Sequence, residues 1–175
     1  MKRTEYIPII TNLSIEPFLS RELSALSGET GILLKAVPIP YMEYRGHGDI
    51  FGKAGMVFAW LDLEGMLPGY DDMGGALPEG CVSDMERSYQ ELCRYLSEVS
   101  QADLVIALFE DYSSHLPIVA GHDNNIAVDE LDWRIQEGLS GQAAFLDMRR
   151  LIASVGIGNA YSPKDRYRWG YPYSQ

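Results

Sequence analysis

Short runs that are apolar at successive positions alternate with segments of helical hydrophobic spacing about five times along this chain, and no other feature restricts its fold as much. The runs are residues 6–11, 31–37, 54–61, 102–109 and 143–146. A strand of a half-exposed antiparallel sheet alternates apolar with polar side chains, whereas a strand covered by helices on both faces is apolar throughout. Between the runs, Ile15, Phe18, Leu19, Leu23 and Leu26 mark one helix, with Pro17 in its first turn and Gly28 at its end. Tyr89, Leu92, Cys93, Leu96 and Val99 mark a second, which Ser83 and Glu86 are expected to open as a capping box. Ile126, Val128, Leu131, Ile135 and Leu139 mark a third, and Met148, Leu151, Ile152 and Val155 a fourth that Gly156 closes. Right-handed crossovers then leave a five-stranded parallel sheet between two helical layers, a flavodoxin-like three-layer α/β/α fold.

Several boundaries follow from turn residues. Pro38 and Pro40 are expected to close the second strand, and Gly46, Gly48 and Gly52 limit residues 41–53 to a short helix at most. Residues 63–80, rich in glycine, read as a surface loop. The α/β domain spans residues 1–157. Residues 158–175 form a basic aromatic arm with Tyr161, Tyr167, Trp169, Tyr171 and Tyr173 but no periodic face.

The 175 residues are 46% hydrophobic and 22% charged, which describes one globular domain and excludes disorder. No apolar run approaches the roughly 18 residues of a membrane span, and none after the basic start serves as a signal-peptide core, which points to the cytoplasm. Cys81 and Cys93 form no metal-binding spacing and read as reduced thiols. The net charge is −11, with 15 acidic residues against Arg87 and Arg94 between Trp60 and Glu130. Such a body repels a phosphate backbone, so nucleic acid is not an expected partner. Arg149, Arg150, Lys164, Arg166 and Arg168 reverse the balance near the end and are the cations that an acidic partner would meet.

Ligands of open parallel sheets bind beyond the carboxyl ends of the strands. Asn12, Ser14, Asp62, Asp147 and the segment 110–124 with His115 and His122 fall there. Ser14 can act as a nucleophile with one of the histidines and Asp147 or Asp62, and Asn12 can donate to an oxyanion. The competing reading makes Asn12 and Ser14 helix caps and the histidines ordinary loop residues. His115, His122 and Asp123 lack a metal-ligand spacing, and no glycine-rich phosphate loop follows the first strand. No metal or cofactor is expected in this chain.

Ile10-Thr-Asn-Leu-Ser-Ile-Glu-Pro-Phe18, Trp60-Leu-Asp-Leu-Glu64, Asp129-Glu-Leu-Asp-Trp133 and Phe145-Leu-Asp-Met-Arg-Arg-Leu-Ile-Ala-Ser-Val-Gly156, followed by Tyr161-Ser-Pro and Tyr171-Pro-Tyr-Ser-Gln175, together resemble the amino-terminal domain of FkbH-like proteins. The resemblance implies an SGNH-hydrolase-like fold followed by a HAD-type domain that carries the chemistry. It also implies loading of a glyceryl unit from 1,3-bisphosphoglycerate onto an acyl carrier protein in polyketide biosynthesis. No DxDxT aspartate motif occurs in the chain, so the phosphoryl chemistry and its Mg2+ would belong to a HAD-type domain beyond Gln175. Against the SGNH pattern, Asn12 stands near the place of the nucleophile, and Arg150 replaces the histidine three residues after Asp147. The resemblance therefore implies a pocket lined by Asn12, Asp62, His115 and Asp147 that binds without turnover. An SGNH-type ester hydrolase and a pure interaction module are the rival expectations.

Overall fold

A computed structural model describes residues 4–13, 23, 27, 31–67, 80–109 and 124–156. Five strands, β1 (Thr4–Thr11), β2 (Leu33–Pro40), β3 (Met56–Trp60), β4 (Asp103–Ala107) and β5 (Ala144–Leu146), form one sheet in the order β2-β1-β3-β4-β5. Every neighbouring pair is parallel. This is the expected α/β architecture, and its order is that of flavodoxin-like sheets.

Side-chain alternation explains why both strand faces are apolar. Ile10, Val57, Ala59, Leu104 and Ile106 enter one core, and Ile9, Phe58, Trp60, Ala107 and Leu146 enter a second on the opposite face. The first core is closed by five helical pieces. A 3-10 turn (Tyr41–Gly46) supplies Tyr44, the short helix α1 (Gly48–Phe51) supplies Phe51, and a one-turn helix α2 (Leu63–Met66) supplies Leu63. Helix α3 (Cys81–Val99) contributes Met85, Tyr89, Leu92, Cys93 and Leu96, and α4 (Asn124–Gly138) contributes Val128, Leu131 and Ile135. The second core is closed by Met148 and Ile152 of α5 (Met148–Val155), a helix that ends at Gly156 with φ 85°. Two layers of helix thus flank the sheet.

Three expectations are corrected. β2 does not stop at its prolines but pairs with β1 through Ile9↔Pro38 and Thr11↔Pro40. The order of the sheet makes β2 an edge strand, where a missing N–H on the outer side breaks no ladder. Pro8 obeys the same rule inside the sheet, because the β1–β3 ladder begins only at Ile9. Ser83 does not cap its helix: α3 starts at Cys81 behind Gly80, whose left-handed φ of 83° turns the chain three residues earlier. Residues 63–66 are helical rather than loop, because the Asp62 carboxylate caps them. Of the expected first helix, Leu23 and Ser27 are described, both helical. The proposed arm from residue 158 onward lies outside the described residues, as does the segment 110–123.

Candidate functional site

Strand connections leave β1 toward β2 on one side and continue from β3 on the other, so the switch point of the sheet lies between the carboxyl ends of β1 and β3. A crevice opens at such a point in most doubly wound folds. Here two hydrogen bonds join the chain after β1 to the chain after β3. The Asn12 amide Nδ2 donates to the Asp62 carbonyl at 2.9 Å, while its Oδ1 accepts the Asp62 backbone N–H at 2.8 Å. Thr11 Oγ1 accepts the Leu13 N–H at 3.0 Å, which turns the chain out of the sheet and sets the Asn12 side chain toward β3. Gly65 packs against this junction so closely that a Cβ there would fall 2.4 Å from Asn12 Nδ2.

The aspartates expected at the strand ends act on local backbone. Asp62 Oδ2 accepts the Gly65 N–H at 3.3 Å and Asp147 Oδ1 accepts the Arg150 N–H at 2.9 Å, each capping the helix it precedes. Asn12 and Asp62 are brought together, while Asp147 lies two strands away from Asp62, about 10 Å by the spacing of neighbouring strands. Ser14, His115, His122, Lys164, Arg166 and Arg168 lie outside the described residues.

Among the described residues, a cleft of about 410 Å³ is lined by Leu108, Asp129, Asp132, Trp133, Gln136, Phe145, Asp147 and Arg149. It sits where β4 and β5 end and α4 and α5 meet. Arg149, expected to be a docking cation, is an internal partner: it binds Asp129 and reaches Asp132 Oδ2 at 2.7 Å. Arg150 is exposed. Asp132 is buried and also accepts the Phe109 N–H at 2.9 Å through Oδ1. Burial pushes its carboxyl up to about 6 against the opposing pull of the Arg149 and Phe109 bonds. Beside it the buried Tyr89 hydroxyl has no hydrogen-bond partner, and the Tyr89 ring stands edge-on to Phe109 at 5.8 Å. Burial, followed by the charge of Asp132, pushes the Tyr89 phenol well up.

Asp132 is the residue that reasoning from strand ends overlooks. Its signal is position: it follows Val128 by four residues and precedes Ile135 by three, which puts a carboxylate on the apolar stripe of α4. Among the described residues no three His, Cys, Asp or Glu side chains are grouped so as to hold a metal ion. Among the described residues no helix is long and apolar enough to cross a membrane.

Comparison with known proteins bears on the fold. No family model matches the sequence, and no curated protein matches it. The structure is similar to the crystal structure of the N-terminal part of the protein BF1531 from Bacteroides fragilis, which contains a phosphatase domain and is complexed with Mg. The TM-score is 0.66 at 6% identity, and the match covers 99% of this chain and 48% of the other. The chain thus spans about half the length of that neighbour. The likeness establishes a shared fold.

Proposed function

We propose that this domain is the accessory part of an FkbH-like glyceryl or acyl transferase, positioning substrate or carrier for a HAD-type catalytic domain in polyketide-type biosynthesis in the cytoplasm. One observation carries the reading. At the switch point, where a hydrolase of this fold class would keep an open nucleophile, Asn12 spends its amide on the backbone of Asp62. Asp147, the other retained position of an SGNH-like site, caps α5 and is followed by Arg150 where a base would stand. A scaffold whose Asn12 is committed to backbone and whose Asp147 is committed to a helix cap is suited to holding and orienting rather than to turnover.

The likeness to a Bacteroides chain containing a phosphatase domain supports a phosphoryl-handling partner. Mg2+ and phosphoryl transfer belong to that partner, because this chain lacks the DxDxT motif. Acyl carrier proteins are acidic, so in this reading docking falls to Arg150, exposed on α5, and to Lys164, Arg166 and Arg168, which lie outside the described residues. Charge reversal at Arg166 and Arg168 is expected to weaken carrier affinity, and unchanged affinity removes this docking mode.

The test of the function uses the whole gene product with 1,3-bisphosphoglycerate and a carrier protein, reading the mass added to the carrier. Transfer that falls when this domain is deleted is the expected result. Equal transfer without it overturns the reading. Turnover of a short-chain chromogenic ester by the domain alone, lost in Ser14→Ala or His115→Ala, would support the hydrolase instead.

A further inference from the structure

Among the described residues Asp132 is the one buried charged side chain, and it ties three elements together. It stands on α4, holds the N–H of Phe109 just past β4, and receives the guanidinium of Arg149 from α5. Among the described residues, the charged and titratable groups around it are Asp129 on its own helix, Arg149 on α5, Asp147 at the end of β5 in the same cleft, and Tyr89 on α3. Tyr41 and, one turn along α3, Cys93 act on Tyr89 in turn.

The guanidinium bonded to this carboxyl group suits one of its two protonation states. Arg149 carries only donors and suits the ionised form. The Tyr89 hydroxyl, buried and without a hydrogen-bond partner, feels the charge of Asp132, so the ionised carboxylate is disfavoured from that side. We propose that Asp132 is a pH-sensitive latch: ionised, it fastens the exit of β4 and the start of α5 to α4, and protonated, it releases the Arg149 guanidinium into the cleft. The proton arrives from solvent through the cleft and stays on the carboxyl, and Arg149 keeps its bond to Asp129. Three aspartates against one arginine give the lining a formal charge of −2, which becomes −1 on protonation. An acidic ligand meets less repulsion below the switch than above it. The raised carboxyl, about 6, places the change within reach of ordinary conditions.

The latch is independent of the transferase reading and is tested on the full chain by NMR, following the Asp132 carboxyl carbon and the Arg149 side-chain nitrogen from about pH 8 to about pH 5. Both signals are expected to move with one midpoint near 6. In Asp132→Asn, which keeps an acceptor for Phe109, the Arg149 signal is expected to stay flat across that range. An Arg149 signal that does not move in the wild type, or moves equally in Asp132→Asn, overturns the latch. If Asp132→Asn does not fold, Arg149→Gln decides: an upward shift of the Asp132 midpoint is expected, and an unchanged midpoint overturns the proposal.

Discussion

Asn12 and Asp62, fifty positions apart, are fastened twice, side-chain amide to backbone carbonyl and backbone N–H to side-chain amide. The amide imitates a step of β-ladder just where the β1–β3 ladder has ended, at Thr11↔Trp60. Each such bond is worth about 0.5–1.5 kcal/mol net, so Asn12→Ala is expected to lower stability by about 1–3 kcal/mol in urea unfolding. Asn12→Asp keeps the shape but sets a carboxylate oxygen against the Asp62 carbonyl. It is expected to cost more than alanine at neutral pH, and an equal or smaller loss would show that the amide donor contributes nothing.

Gly65 tests the same junction from the other side. A methyl group there would lie 2.4 Å from Asn12 Nδ2 and 2.7 Å from its Cγ, and an amide bonded at both ends has no free rotation to yield. Gly65→Ala is expected to cost about 1–3 kcal/mol, the usual range for overpacking. Combined with Asn12→Ala, the loss should be smaller than the two single losses added, because the alanine leaves room. Strict additivity would mean that the two sites do not meet.

Asp147 separates a cap from a catalytic acid. Asp147→Ala is expected to lower the melting temperature through a loss of about 0.5–2 kcal/mol, and Asp147→Ser to restore most of it, since either side chain can accept the Arg150 N–H. A catalytic carboxylate would show the opposite profile: unchanged stability and an activity that serine does not rescue.

Asp132 gives stability a pH signature. Its folded carboxyl is raised from 3.8 to about 6, so between those values the folded state binds the proton that the unfolded chain has released. The contribution of this group to stability therefore grows as pH falls through about 6 and is complete near 3.8. Asp132→Asn is expected to compare most favourably with the wild type at about pH 7.5 and to lose ground toward about pH 4.5, as melting temperatures in matched buffers would show. A difference that does not change with pH would mean that Asp132 titrates like an exposed aspartate.

Cys93 is buried in the core, and burial pushes its thiol up to about 11. Cys81, half-buried at the start of α3, is raised as well, by burial and then by Asp84. A thiol reagent at about pH 8 is expected to label Cys81 first and Cys93 only on unfolding. Equal labelling rates in the native protein would contradict the packing of α3.

The layered sheet is legible in the sequence because strands buried on both faces must be apolar at every position, as Val57 to Trp60 and Leu104 to Ala107 are. Strand ends are less legible. Pro38 and Pro40 read as stops until the order of the sheet shows β2 at its edge, and that order is a long-range property. Ser83 matches a capping pattern, yet Gly80 decides where the helix begins because its backbone can adopt a conformation that other residues avoid. At the site, Asp62 and Asp147 are legible as residues after strands, but Asn12 pairs across fifty positions, a separation that no local pattern reveals. Asp132 is different. One charged residue on the apolar stripe of α4 is a visible irregularity that strand-end reasoning passes over.

Pro38 and Pro40 stand two residues apart and so point to one side of β2, and because the ladder to β1 runs past both, that side is the outer one. A strand arriving from another molecule or from elsewhere in the same polypeptide would find no N–H at either proline with which to begin pairing. The opposite margin, β5, offers only Ala144, Phe145 and Leu146. Among the described residues, lateral growth of the sheet is thus discouraged at both margins. Two imino acids therefore protect the protein against edge-to-edge aggregation as well as shaping its outline.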